Sequence, residues 1–123
     1  MELSQDFSLS YAFHWDEPIA GAVQEAIATY GSDEDRIKLA QHFSVSAKAL
    51  EAMAEVPSPE VQLAVAENPA TPVEALARLA SDYSRVVRHA ANEAIDQLEG
   101  PARDAAKALT RSRMQRLRSR LSS

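Results

Sequence analysis

The residues best suited to chemistry in this chain are its three histidines, His14, His42 and His89, and no two of them have the i, i+4 spacing that sets a pair of imidazoles on one helix face for a metal. They read as surface or rim residues. The acidic run SDEDR, residues 32–36, lacks the glycine and alternating ligands of a calcium loop. Its position at a helix start is already favoured by the macrodipole. With no cysteine in the chain, disulfides, thiolate zinc sites, iron–sulfur clusters and a thiol nucleophile are excluded. No G-x-S-x-G, P-loop or G-x-G-x-x-G occurs, and three glycines are too few for a phosphate-cradling loop. The chain therefore reads as a non-enzyme that takes neither cofactor nor small-molecule substrate.

Two stretches are better suited to binding than to reaction. Four of the seven aromatics, Phe7, Tyr11, Phe13 and Trp15, fall within the first 15 residues. The alternation from Leu9 to Trp15 has the period of a strand, while Leu3, Phe7 and Tyr11 also fit a helix. This segment is expected to seal one end of the fold, or else to anchor a partner or a second copy of the chain, as aromatics do in interfaces. At the other end, Arg103, Lys107, Arg111, Arg113, Arg116, Arg118 and Arg120 surround a narrow apolar stripe of Ala106, Leu109, Leu117 and Leu121. Three readings compete for it: docking on an acidic body, helix-mediated association, or phosphate contacts to nucleic acid through Arg111, Arg113, Arg116, Arg118 and Arg120.

Charge divides the chain at the same place. Residues 1–100 hold 17 acidic and 6 basic residues, a net of −11, whereas residues 101–123 hold 1 acidic and 7 basic, a net of +6. That acidity makes nucleic acid the second reading, because a duplex at the tail would also meet repulsion from the body. The 123 residues suffice for one domain, 46% hydrophobic and alanine-rich, which favours closely packed helices. No signal-peptide pattern and no apolar run of membrane-spanning length is present, so a soluble, cytoplasmic protein is expected, with no membrane partner.

Glycine, proline and capping residues divide the chain into seven helices. The first is expected within residues 16–31, with Asp16 as cap, Gly31 as stop, and Ile19, Val23, Ile27 and Tyr30 on one face. The second starts at Ser32 or Asp33 and buries Ile37, Leu39, Ala40 and Phe43; the third starts at Ser44 or Ser46 and turns Ala47, Leu50, Met53 and Ala54 inward. Ser58 with Pro59 starts the fourth, and Thr71 with Pro72 the fifth, which buries Val73, Leu76, Leu79 and Ala80. The sixth runs from Ser84 and buries Val87, Ala90, Ala91, Ala94, Ile95 and Leu98; a long basic helix follows Gly100.

These short helices repeat. A shift of 26 positions carries Ala49, Leu50, Ala54, Ser58, Val61, Ala64 and Glu67 onto Ala75, Leu76, Ala80, Ser84, Val87, Ala90 and Glu93. Each unit is then a helix pair stacked on the next. In the element NPATP, Pro69 biases Asn68 out of the helical region, Thr71 caps the next helix and Pro72 fixes its first turn.

The run VQLAVAENPATPVEALARLASDYSRVVRHAANE resembles the variant leucine-rich repeat family, through Val61, Ala64, Val65, Ala66, Asn68, Pro69, Thr71, Pro72, Leu76, Leu79, Ala80 and Asp82, with Val87, Arg88 and Ala90 opening a further unit. Gln62 stands where the family usually has Arg, the next unit lacks the N-P-x-T-P element, and the preceding copy lacks N-P. The resemblance implies a right-handed stack of short helices and a protein-binding role. The iron–sulfur segment associated with such repeats has no cysteine to rest on here.

The expected fold is all-α, a short right-handed α-solenoid of about 2.5 helix-pair repeats over residues 1–100, with an aromatic N-terminal cap and a basic C-terminal helix over 101–123. The expected function is a non-catalytic adaptor binding another protein or itself. Arg78, Arg85, Arg88 and His89 are its expected exposed polar surface, and the N-terminal aromatics or the arginine tail its anchors.

Overall fold

The computed structural model describes residues 14–122, so Phe7, Tyr11 and Phe13 lie outside the described residues. Seven helices follow in chain order: α1 (Gly21–Tyr30), α2 (Asp33–Ala40), α3 (Ala47–Ala54), α4 (Pro59–Ala66), α5 (Val73–Ala80), α6 (Arg85–Asp96) and α7 (Gly100–Ser122). They form two layers. Helices α1, α3, α5 and α7 pack in succession as one, α2, α4 and α6 as the other, and adjoining helices of the two layers also pack together. Leu39, Leu50, Met53, Val61, Val65, Leu79, Val87 and Ile95 are fully buried between them. The fold is an all-α, solenoid-like stack.

The 26-residue period is kept at atomic detail. Ser32, Ser58 and Ser84 precede α2, α4 and α6, and each hydroxyl accepts the backbone N–H three residues on, from Asp35, Val61 and Val87. One capping bond thus opens the first helix of every unit. At the fourth position of the same helices stand Arg36, Gln62 and Arg88, and each side chain reaches back to carbonyls that end the preceding helix or its corner. Arg36 donates to Ala28 O and Thr29 O, Gln62 to Ala54 O, and Arg88 to Asp82 O and Tyr83 O. Carbonyls without an intrahelical partner are satisfied this way. Glutamine can stand in for arginine at 62 because an amide N–H serves the same acceptor.

The other corner repeats as well. Asn68 accepts Ala70 N–H on Oδ1 at 2.7 Å and donates from Nδ2 to Ala40 O of the previous unit at 2.7 Å. One unit earlier His42 has the same geometry: Nδ1 accepts Ser44 N–H at 3.1 Å, and Nε2 lies 2.6 Å from Trp15 O. His42 is therefore buried, not a surface or rim residue, because its ring closes a corner that lacks N-P.

Several expectations are corrected. Thr71 does not cap α5: Pro72, with extended backbone, precedes that helix, and the Thr71 hydroxyl donates to Val65 O at 2.6 Å, ending α4 instead. Helix α1 begins after Ala20, not at Asp16, because Ile19 N–H is held by Ser44 Oγ and Ile19 O by the buried Gln24 amide. Tyr30 and Phe43 are 72% and 70% exposed rather than buried. Tyr30 ends α1 at the edge of the stack, and Phe43 lies past the end of α2, against the His42 ring. Ala47 is exposed on the first turn of α3. Gly31 ends α1 without a left-handed turn; a Cβ there would sit 2.5 Å from Ile27 O. Close approach, not positive φ, demands glycine.

Candidate interaction surface

Helix α7 is built differently from the six before it. It runs 23 residues, about 35 Å, against 8 in α5, so the part beyond Arg113 outreaches its neighbour. Ala106 is fully buried, and one turn on Thr110 turns its hydroxyl back to Ala106 O. Leu117 is 39% exposed and Leu121 87%. The apolar stripe continues past the surface that covers it.

The arginines of α7 are split by helical spacing. Arg113, Arg116 and Arg120, at i, i+3 and i+7, share one side, while Arg111 and Arg118 share another. Arg113, at the start of the first side, meets the end of α5. Arg113 Nε donates to Ser81 Oγ at 3.1 Å, across the C-terminal end of α5, where the macrodipole favours a cation. Arg78 leaves α5 toward the end of α3, with Nε 3.4 Å from Ala54 O and Nη2 3.4 Å from Glu55 Oε1. Burial and the charges of Arg78, Arg116 and Arg120 lower the Arg113 pKa from the ordinary guanidinium value, while Glu55 opposes them. Guanidinium groups thus converge around Arg113, with the Glu55 carboxylate opposing them, and an incoming anion would relieve their repulsion.

The first half of α7 docks on the last repeat through the buried Ala106 and the Arg113–Ser81 bond. Lys107 Nζ lies 3.3 Å from Asp96 Oδ1, an ion pair that ties α7 to the end of α6.

The expected exposed quartet on the repeats is not one surface. Arg78 belongs to the α5–α7 side, and Arg88 is half-buried and bonded to the α5–α6 corner. Arg85 is exposed on α6, and His89 Nε2 is 2.7 Å from Glu93 Oε1 at the surface. Trp15 is half-buried against the core, with Lys38 Nζ 5.6 Å from its ring centroid. Reading the sequence did not single out Ser81 and Glu55. The hydroxyl two residues before the Tyr83 turn looks like ordinary loop composition until α7 is placed beside it. Among the described residues no group of three or more histidine or acidic side chains could hold a metal ion, and no helix is long and apolar enough to cross a membrane.

In comparisons with known proteins, residues 59–83, which span α4, the Asn68–Pro72 corner and α5, match the family model for the leucine rich repeat variant. No curated protein and no solved structure matches the chain.

Proposed function

We propose that this leucine-rich-repeat-variant scaffold is a non-catalytic protein-interaction module whose α5–α7 face docks an acidic segment of another protein. The observation that carries the reading is the gathering of Arg78, Arg113, Arg116 and Arg120 on one side, with Glu55 as the opposing charge. Guanidinium forks pair bidentately with carboxylates, and the half-burial of Arg78 and Arg113 strengthens such pairs over fully solvated ones. Leu109 and Leu117, both exposed on or beside this side, would supply apolar contact.

Nucleic acid remains the second reading, since phosphates suit the same forks. Fluorescence anisotropy on the full chain separates the two, with an acidic helical peptide carrying Glu and Leu on one face and a duplex oligonucleotide as probes. The peptide is expected to bind in roughly the micromolar range, above the duplex in affinity, and to weaken only modestly with salt because part of the contact is apolar. A duplex that binds more tightly, with log K falling by about 0.9 per neutralised phosphate, would replace the protein reading with the nucleic-acid one.

A further inference from the structure

A cleft of about 460 Å³ lies between the end of α4, the Asn68 corner and the second half of α6. It exists because α6 does not follow the pattern of α4: α4 stops after 8 residues at its corner, whereas α6 continues for 12 and overhangs it. Ala90, Ala94 and Leu98 line it with partly exposed apolar surface over the buried Ala66 and Leu76, and Glu67, Glu93 and Gln97 stand exposed around it. None of the ten residues around it is basic. The C-terminal end of α4, capped by Glu67, adds the negative pole of a helix dipole. An apolar floor under a negative rim fits an amphipathic helix with basic flanks.

Such a helix is present in the chain. Beyond Arg113, α7 carries Leu117 and Leu121, exposed at i and i+4, with Arg118 on one flank and Arg116 and Arg120 on the other. Residues 1–100, which hold the cleft, carry a net −11, and residues 101–123 a net +6, so each region attracts the other in a second molecule. We infer that the distal half of α7 of one copy seats in the α4–α6 cleft of a second copy, with Leu117 and Leu121 on its floor. This contact is heterologous, since a tail meets a cleft rather than a tail meeting a tail. It shares Arg116, Leu117 and Arg120 with the arginine-face reading but not Arg78 or Arg113, and its acceptor, the α4–α6 cleft, is lined by none of the arginines of that face.

The test uses full-length chains only. Glu67→Lys with Glu93→Lys spoils the cleft and leaves the tail; Leu117→Glu with Leu121→Glu spoils the tail and leaves the cleft. All four positions are at least partly exposed, and circular dichroism confirms that both variants keep the helical content of the parent. In light scattering at low salt the parent is expected to give at least twice its 13.4 kDa, and each variant alone 13.4 kDa. An equimolar mixture of the two variants regains a complex, since the intact tail of one still meets the intact cleft of the other. A monomeric parent, a dimer that survives either pair of substitutions, or a mixture that stays monomeric overturns the inference. Each of these results leaves the arginine-face reading to its own test.

Discussion

The repeats from α2 to α6 and the long helix α7 spend their polar residues in opposite ways. In the repeats, Ser32, Ser58 and Ser84 open helices, Arg36, Gln62 and Arg88 close them, and His42 and Asn68 tie one unit to the previous one. At these recurring positions the polar side chains hold backbone corners, whereas Arg85 and His89 of α6 face solvent. In α7, Arg113 is held by Ser81 and Lys107 by Asp96, while Arg111, Arg116 and Arg118 stand exposed along the remainder. Side chains already committed to the backbone cannot bind a partner without releasing it, which favours the proposal that a partner is met on the exposed length of α7.

Stability measurements can break that contrast. The largest effect is expected in the buried seam: Leu50→Ala or Leu79→Ala removes a fully buried side chain and should cost about 3 kcal/mol in urea unfolding, whereas Leu121→Ala should cost nothing measurable. Next come the corners. Asn68→Ala strips one bond from the carbonyl of the buried Ala40 and one from the exposed Ala70 N–H and should cost about 2 kcal/mol, and His42→Ala a similar amount. His42→Asn should recover part of that loss if the two residues do the same work one unit apart; no recovery would sever the equivalence. Arg88→Ala should cost about 1.5 kcal/mol through its two carbonyls, against less than about 0.5 for Arg118→Ala. The smallest effect falls at Arg113. Removing its charge with Arg113→Gln relieves repulsion from Arg78 and Arg116 while sacrificing one hydrogen bond, so the unfolding midpoint should hardly move or rise slightly.

Much of the repeat frame was legible because caps and small apolar residues recur at fixed intervals. Ser58 with Pro59 announced α4 directly, and the 26-residue shift found the units that the helices keep. The misreadings share a cause. Helices of 8 or 10 residues end before a helical face can be extrapolated, so Phe43 and Tyr30, apolar by type, fell on corners and edges that face solvent. Thr71 and His42 have side chains that serve either end of a corner, and only the position of the neighbouring unit decides which. The arginine face was half legible. Its α7 members were visible as a basic run, but helical phase separated Arg111 and Arg118 from Arg113, Arg116 and Arg120, and tertiary packing brought in Arg78 from 35 residues upstream of Arg113.

The most direct measurement titrates the acidic Glu- and Leu-bearing peptide into two full-length charge-reversal variants. One carries Arg113→Glu, Arg116→Glu and Arg120→Glu on α7; the other carries Arg85→Glu and His89→Glu on the repeats. Loss of at least about tenfold in affinity in the first, with the second binding as the parent does, is the predicted result. Unchanged binding in the first, or loss confined to the second, would place the partner surface on the repeats and contradict the account.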